Sequence, residues 1–441
     1  LKDRIEDSES KIVITADGGF RKGKIIKLKD IVDEAVSEVK SVEHVIVFER
    51  VKEKITLNEK DHLWSELMKH ASDQCVAEEL ESTHPLYILY TSGTTGKPKG
   101  VLHGTGGYLT HLHSTYKWAF DIQDSDIYFC TADIGWVTGH SYVVYGPLLH
   151  GATQIMYEGA PDYPDISRMW NIIQKYKATI FYTTPTALRM FMKFGDEKPN
   201  SFDLSTLRLL GTVGEPINPE VWKWYFNVIG KKRCPIIDTW WQTETGGMMI
   251  SSLPGIESNF LKPGSATQPI PGVSISVVDE DGNEVPANTK GSLIIENPWP
   301  GMLMTLWNDD EKYKDVYWSK FENKYYPGDY AIRDSDGYFW LLGRSDDVLK
   351  VAGHRIGTAE LESSLVSHDY VAESAVCSIP DEIKGESIIA FVVLNDGTEI
   401  TQEKLVNELR NTVRNSVGAI AIPQEFYIVS KLPKTRSGKI M

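Results

Sequence analysis

Apolar residues along the chain follow two alternating spacings, which predict strands that alternate with helices. Short apolar runs at residues 11–15 and 44–48 are typical of buried strands, and between them apolar residues recur at helical spacing from Ile31 to Val39. Similar strand-like runs follow at residues 86–90, 179–182, 207–210 and 235–238. This alternation predicts parallel sheets that are covered by helices.

The pattern changes twice in the second half of the chain. Between about residues 264 and 343, short strands are separated by Gly, Pro, Asp and Asn turns, which indicates a small β-barrel-like region. A helix, two strands and a second helix are then predicted at residues 359–366, 372–379, 388–394 and 405–413. We therefore predict an α/β fold with a large domain at residues 1–343, a small α+β domain at residues 347–441 and a hinge near residues 344–347.

The beginning of the chain resembles the middle of a domain. Polar residues lead directly into the predicted buried strand at residues 11–15, and no earlier unit is present for that strand to pair with. We expect the N-terminal part of the fold to be missing from this sequence.

Composition narrows the classes of function. The 441 residues are 41% hydrophobic and 24% charged, which is enough for a substantial core and at least two domains. A formal charge of -15 argues against general binding to nucleic acid or to an anionic membrane, so anionic ligands would need local basic sites. The 4 cysteines show no CxxC spacing, and no apolar run approaches the roughly 18 residues of a membrane span. These features predict a cytoplasmic protein without a disulfide framework.

The sharpest chemical signal is the string YTSGTTGKPKG at residues 90–100, directly after an apolar strand. Glycines allow a tight turn with exposed N–H groups, hydroxyls supply further donors, and lysines add positive charge, so the loop suits a polyphosphate. A bare Gly/Ser/Thr loop is more often a polar surface turn, but the complete string favours the functional interpretation. It is not a Walker-A motif, because Pro98 follows Lys97.

This string resembles the phosphate loop of the acyl-adenylate-forming superfamily, and matches that resemble the acetyl-CoA synthetase family run from Lys11 to the last residue. The resemblance implies a ligase that activates acetate with ATP to acetyl-adenylate and pyrophosphate, then transfers the acetyl group to coenzyme A. ATP, coenzyme A and Mg²⁺ would be required. A propionyl-CoA or broader short-chain synthetase, an adenylation domain that loads a carrier protein, and an inactive nucleotide-binding fragment are the alternatives.

The resemblance assigns the nucleotide to loops that follow strands, where open α/β sheets bind ligands. The implied ATP and AMP contacts are Thr91, Ser92, Gly93, Thr94, Thr95, Gly96, Lys97, Gly214, Glu215, Pro216, Asp238, Thr239, Trp240, Trp241, Gln242, Thr243, Asp329, Arg344 and Arg355. Among these, Asp329 would bind the ribose hydroxyls with its two acceptor oxygens, and Arg344 would bind ribose and the α-phosphate. Glu244 would hold Mg²⁺, a hard cation that prefers oxygen ligands, although a lone glutamate is more often a solvated loop acid.

The same resemblance places acetate in a pocket formed by Trp136, Val137, Thr138, Val213 and Trp241. The Trp241 indole would form the end wall and leave space for little more than a methyl group. Because one methylene is usually worth about 1–3 kcal/mol of discrimination, propionate should be a poorer substrate and not an excluded one. The alternative is that Trp240 and Trp241 are simply core aromatics.

The small domain carries the remaining catalytic assignments. By resemblance, Lys439 enters the site during adenylation, where its ammonium neutralises charge on the acyl oxygen and the phosphate. Asp346 is the hinge residue about which the domain turns. A flexible basic tail is the commoner meaning of such a terminal segment. Relatives also imply that a lysine acetyltransferase and a deacetylase could act on Lys439.

Coenzyme A and a second cation are assigned by resemblance to scattered residues. The implied coenzyme A contacts are Arg21, Lys24, Thr184, Gly353 and Arg414. Lys24 replaces what is often arginine in the family, which weakens the case for bidentate phosphate pairing there. Val366, His368 and Val371 resemble a secondary cation site, and a surface histidine is an equally good interpretation of His368.

Overall fold

The computed structural model of the protein describes residues 1–91, 98–257, 261–345, 348–351, 354–381, 385–434 and 440. The structural statements below concern these residues.

The first unit is a small parallel sheet with the predicted β-α-β order. Its strands, in spatial order, are Ile12–Ala16, His44–Phe48 and Asp61–Leu63. Its helices are Lys2–Asp7, Leu28–Val36 and Trp64–Met68. A separate hairpin pairs Gly19–Arg21 with Lys24–Ile26. The prediction that the first strand is buried was wrong. It lies at the sheet edge, where Ile14 is 66% exposed, whereas Val45 and Val47 of the middle strand are buried.

The central unit is a five-stranded sheet whose strands are parallel, as predicted for this part of the chain. Its strands, in spatial order, are Ile236–Thr239, Leu209–Val213, Ile180–Thr183, Ile127–Cys130 and Thr153–Ile155. The helices of this region are Thr105–Phe120, Arg168–Tyr176, Pro185–Lys193, Glu197–Asn200 and Pro219–Trp224, and the last continues as a π-helix at Tyr225–Ile229. Phe181 and Tyr182 are both fully buried but belong to separate core clusters, so the sheet is covered on both faces.

The strand that precedes the phosphate loop belongs to a different sheet. We predicted a parallel setting for residues 86–90, but Pro85–Thr91, Lys99–Gly104 and Thr305–Leu306 form an antiparallel sheet. Too few residues join the first two strands for a parallel crossover, which needs a dozen or more, so the connection produces a hairpin.

The predicted β-rich region contains a four-stranded antiparallel sheet of Ile275–Val278, Lys290–Ile295, Asp329–Arg333 and Phe339–Arg344. A separate pair joins Ile250–Ser251 to Gln268–Pro269. The region also contains a helix that the sequence pattern did not reveal, Asp310–Trp318, whose first turn is capped by Asp309 accepting the amide of Lys312 at 3.2 Å.

The C-terminal unit has the predicted α+β composition. Its strands are Val348–Val351, His354–Gly357, Val371–Asp381, Gly385–Leu394 and Glu425–Ile428, and its helices are Thr358–Val366, Gln402–Ser416 and the 3₁₀ turn Ala419–Ala421. Leu405, Leu409 and Val413 are fully buried on one helix face, as their spacing predicted. Within the described ranges, none of the helices has the length and apolar character needed to cross a membrane. All 4 cysteines are free thiols.

Candidate active site

Two predicted nucleotide-binding loops leave the same edge of the central sheet. Strands Leu209–Val213 and Ile236–Thr239 are parallel neighbours, with Val213 opposite Thr239, so the loops that follow them begin side by side. The Thr212 hydroxyl donates to Asp238 Oδ1 at 2.7 Å and links the two strands. Gly214 opens the first loop at a φ of +99°, a conformation that side chains disfavour.

Asp238 is a buried carboxyl group at this edge. Its side chain lies in the described core at 7% exposure, and burial raises its pKa to about 7, although hydrogen bonds from Thr212 and the Thr239 amide oppose the rise. A carboxyl that titrates near neutrality is typical of functional sites, where burial disfavours the charged form.

Glu215 is held by the neighbouring helix Pro185–Lys193. Arg189 Nη2 lies 2.9 Å from both carboxylate oxygens of Glu215, and the Thr186 hydroxyl also donates to that carboxylate. Thr184 caps the same helix by accepting the Ala187 amide at 3.2 Å. The helix therefore brings Thr184, assigned to coenzyme A, beside the loop assigned to adenine. Neither Arg189 nor Thr186 belongs to a motif that could have been recognised in the sequence.

The predicted ribose residues form one cluster with Gln242. Gln242 Nε2 donates to Asp329 Oδ2 at 2.7 Å and to the Pro327 carbonyl at 2.9 Å. Arg344 Nη1 donates to the same carbonyl at 2.5 Å and lies 3.7 Å from Asp329 Oδ2. A Cβ at Gly328 would lie 2.8 Å from Arg344 Nη2, at a φ of +79°, so only glycine suits this turn.

Glu244 lies in a polar cluster that the motifs did not reveal. The Tyr317 hydroxyl donates to Glu244 Oε1 at 2.5 Å, and Lys99 Nζ donates to Tyr317 at 3.1 Å while lying 3.8 Å from the same carboxylate oxygen. Burial raises the pKa of Tyr317 well above its usual range, so the hydroxyl stays a donor. Its ring stacks on Tyr325 with centroids 5.4 Å apart. Tyr317 was missed because its helix was not predicted.

Trp241 packs against the core cluster that contains Val213, one of the residues assigned to the acyl pocket. The segment with Val137 and Thr138 begins a continuous helical run of Val137–Gly139, the π-helix His140–Tyr145 and Gly146–Leu149. The Tyr142 ring contacts the Trp241 indole edge to face, with centroids 5.0 Å apart and planes at 84°. Buried Val213 belongs to the same core cluster as Tyr142. Trp136, by contrast, is 49% exposed at the start of the run.

Comparison with known proteins matches most of the chain to one family. The family model described as AMP-binding enzyme matches residues 1–307, and the one described as AMP-binding enzyme C-terminal domain matches residues 360–439. The chain belongs to the AMP-binding enzyme family. Its fold is that of the adenylate-forming synthetases.

Similar curated proteins and solved structures agree with this membership. Over the whole chain, the sequence is 56% identical to the acetyl-coenzyme A synthetase of Pyrobaculum aerophilum and covers 66% of that protein. It is 55% identical to the same-named protein of Chlorobaculum tepidum and covers 67% of it, so the chain spans about two thirds of the length of these AMP-binding relatives. The structure of acetoacetyl-CoA synthetase from Streptomyces lividans matches with a TM-score of 0.87 and 26% identity, covering 100% of this chain and 66% of that one. The anthranilate CoA ligase AuaEII matches with a TM-score of 0.83 and 26% identity, covering 100% of this chain and 78% of that one.

Several predicted site residues of this AMP-binding enzyme lie outside the described residues. These are Ser92, Gly93, Thr94, Thr95, Gly96, Lys97, Asp346, Gly353 and Lys439, together with the side chain of Arg355. The domain boundary at residues 344–347 also stays a prediction.

The basic residues assigned to coenzyme A lie on separate units. Arg21 and Lys24 are cross-strand partners in the first unit's hairpin, and neighbouring Lys22 pairs with Asp162 at 2.5 Å. Arg414 is exposed on the C-terminal helix Gln402–Ser416. Their common role stays a prediction.

The segment assigned to a second cation is a tight turn after the helix Thr358–Val366. The His368 carbonyl accepts the Val371 amide at 2.9 Å, and His368 Nε2 lies 3.3 Å from Glu408 Oε2. The described residues contain no group of at least 3 His, Cys, Asp or Glu side chains arranged to hold a metal. A site at Val366, His368 and Val371 would therefore depend on backbone carbonyls, and it stays a prediction.

Proposed function

We propose that the protein is an acetate:CoA ligase that forms acetyl-adenylate and pyrophosphate from acetate and ATP, then forms acetyl-CoA and AMP. The observation that carries this proposal is that Trp241, the assigned acyl wall, lies between Asp238 on the strand edge and Gln242 in the ribose cluster. This adjacency along the chain supports an acyl pocket that adjoins the nucleotide site. The identity of 56% to a curated acetyl-coenzyme A synthetase supports the same substrate.

The ribose cluster supplies the orientation that the first step needs. Gln242 holds one oxygen of Asp329 and the guanidinium of Arg344 lies beside it, so acceptors for the ribose hydroxyls and a cation for the α-phosphate are fixed together. An acetate oxygen attacks the α-phosphorus and pyrophosphate leaves. No general base is needed, because acetate is already ionised at neutral pH.

The carboxylate of Glu244 is a suitable ligand for Mg²⁺. Within the described part of the chain, Tyr317 and Lys99 both face Oε1 of this carboxylate. The other oxygen, Oε2, is therefore left to bind a hard cation. When bound, Mg²⁺ would neutralise charge on the phosphates. The phosphate loop from Thr91 to Lys97, Arg355 and Lys439 would contact the same phosphates, and these roles rest on the motifs alone.

The second step would use the small domain. We propose that residues 347–441 turn about Asp346, so that Gly353 lines the path of the coenzyme A thiol while Arg21, Lys24, Thr184 and Arg414 contact its nucleotide end. The thiolate attacks the acetyl carbon and AMP leaves. A thiol with a reference pKa near 8.5 provides a usable thiolate fraction without a dedicated base.

The cellular setting follows from the same proposal. Free thiols and a formal charge of -15 suit a reducing, cytoplasmic environment. Lys439, as the proposed adenylation lysine, is where acetylation and deacetylation would control activity.

Acetate-dependent ATP–pyrophosphate exchange by the full-length protein tests this function. We expect exchange in the wild type and its loss in Lys439→Ala, with thioester formation from supplied acetyl-adenylate retained. Lys431→Ala is the matched control, because Lys431 is an exposed lysine of the same terminal segment, and it should keep exchange. Absence of acetate-dependent exchange in the wild type would refute the proposal.

A further inference from the structure

The π-helix His140–Tyr145, beside the assigned acyl pocket, contains a tyrosine, Tyr142, whose side chain is fully buried. Tyr142 packs its ring against Trp241 with centroids 5.0 Å apart at 84°. Resting on the function proposed above, we infer that Tyr142 is a positioning residue that sets acyl-chain specificity by holding the Trp241 indole across the pocket. π-Helical segments inside α-helices frequently occur at functional sites, because the wider turn redirects side chains.

The Tyr142 hydroxyl is fixed by a hydrogen-bond network with a defined direction. The Met248 amide donates to the Tyr142 oxygen at 2.9 Å, and the Tyr142 hydroxyl lies 2.9 Å from Thr115 Oγ1, to which it donates because the Thr115 proton is used elsewhere. Thr115 in turn donates to the His111 carbonyl at 2.8 Å. The ring is therefore anchored at its far end to helix Thr105–Phe120 and to the segment that follows Trp241.

The segment after Trp241 is attached to the π-helix at a second point. The Ser141 hydroxyl donates to the Gly246 carbonyl at 2.7 Å. Gly247 fits only because it lacks a side chain, since a Cβ there would lie 2.6 Å from His111 Cδ2 and 3.0 Å from the Tyr142 oxygen. His111 also donates to the Met248 carbonyl at 3.0 Å. The π-helix and the loop that carries the indole are therefore packed as one body.

This packing joins two chain segments that carry residues assigned to the acyl pocket. The helical run that contains Tyr142 begins at Val137, while Tyr142 supports Trp241 and the same core cluster contains Val213. Removing the Tyr142 ring would leave space behind the Trp241 indole, and the indole could tilt into that space. The pocket would then accept longer acids, because the end wall would no longer be fixed at the depth of a methyl group.

The test compares tyrosine-to-leucine changes at Tyr142 and Tyr116 in the full-length protein. Both tyrosines are fully buried in the same core cluster. Among the ring contacts of the described residues, Tyr142 contacts Trp241, whereas Tyr116 contacts other rings such as Tyr128. The readout is the ratio of kcat/KM for acetate to kcat/KM for butyrate in pyrophosphate exchange. This ratio does not depend on the fraction of folded enzyme.

We expect Tyr142→Leu to lower that ratio by about tenfold or more, in line with the discrimination that hydrophobic pockets achieve. Tyr116→Leu should leave the ratio unchanged. Tyr142→Phe keeps the ring contact but loses the hydroxyl anchor, so it should lower the ratio much less than Tyr142→Leu does. If the leucine variant does not fold, Tyr142→Met serves, because methionine refills the space without fixing the indole.

The other possible results contradict either the inference about Tyr142 or the proposed function. An unchanged ratio in the Leu or Met variant, or an equal fall in Tyr116→Leu, would overturn the inference while leaving the proposed function intact. A comparable fall in Tyr142→Phe would also overturn it, because the ring contact would then not be the cause. A wild type without acetate-dependent exchange would refute the proposed function instead.

Discussion

At the scale of single residues, Tyr317 orients the carboxylate of Glu244. Its buried hydroxyl donates to one carboxylate oxygen at 2.5 Å. A hydrogen bond to a charged group is worth about 1.5–3 kcal/mol, so Tyr317→Phe should release the carboxylate. We expect the Mg²⁺ concentration for half-maximal exchange to rise about tenfold or more, and direct Mn²⁺ binding in the presence of ATP to weaken in parallel.

The matched control for Tyr317 lies on the same helix. Tyr313 is also partly buried in helix Asp310–Trp318, and its ring is 6.1 Å from that of Tyr317. Tyr313→Phe should leave the Mg²⁺ requirement unchanged. Equal Mg²⁺ requirements in the wild type and Tyr317→Phe would show that the tyrosine does not position Glu244.

Asp238 makes stability depend on pH in a predictable direction. Its folded-state pKa of about 7 lies above the ordinary aspartate value of 3.8, so the folded protein binds more protons than the unfolded chain in this interval. Stability contributed by the protonated carboxyl is present below the unfolded pKa and is lost as pH rises through the folded pKa. Each unit of the shift corresponds to about 1.4 kcal/mol.

Asp238→Asn removes this titration. Relative to the wild type, the variant should gain stability steadily between pH 4 and pH 7, as measured by urea unfolding at several pH values. A difference in unfolding free energy that is constant over this interval would contradict the raised pKa.

Residues within motifs were easier to predict than their partners. The motifs located Gln242, Asp329 and Arg344, which the structure brings together. Arg189, Tyr317 and Tyr142 were not predicted as site residues, because each acts through a partner that is distant in sequence. A spacing rule describes neighbours on one element, whereas these contacts depend on how elements pack.

At the scale of elements, a buried ion pair joins helix Leu28–Val36 to strand Asp61–Leu63. Lys29 is 1% exposed and its Nζ lies 2.8 Å from Asp61 Oδ2, and the Asp33 carboxylate also accepts from it. Lys29→Met should destabilise the protein by about 3–5 kcal/mol, because it leaves a buried carboxylate without its partner. Urea unfolding measures the change.

Lys27 provides the comparison for Lys29. Its side chain is 68% exposed and lies 4.0 Å from Asp30, so Lys27→Met should change stability by no more than about 0.5 kcal/mol. Similar losses of unfolding free energy in Lys29→Met and Lys27→Met would mean that the burial of Lys29 does not determine the size of the loss.

The elements themselves were predicted well where apolar periodicity was strong. Helix Leu28–Val36, helix Gln402–Ser416 and three of the five central strands, Ile180–Thr183, Leu209–Val213 and Ile236–Thr239, follow the expected pattern. Helix Asp310–Trp318 was missed, since only Tyr317 among its residues is buried and a clear apolar stripe is absent. The strand Ile12–Ala16 was assigned to the core because an apolar run does not show whether a strand lies at a sheet edge.

At the scale of the whole molecule, the C-terminal unit contacts the helix that supports the nucleotide loop. Lys193, at the end of helix Pro185–Lys193, lies 3.3 Å from Asp396 of the C-terminal unit. Arg189, which holds Glu215, is on the same helix. A turn of the small domain would therefore change the surroundings of a helix that contacts both assigned substrate regions.

In the proposed enzyme, Trp241 closes an acyl pocket that adjoins the nucleotide site. Pyrophosphate exchange with a series of linear acids, in the full-length wild type and in Trp241→Gly, tests it most directly. We predict that the wild type prefers acetate, uses propionate less well and rejects longer acids, and that Trp241→Gly shifts the preference to longer acids. A wild type that favours longer acids, or a glycine variant with an unchanged preference, would contradict the account.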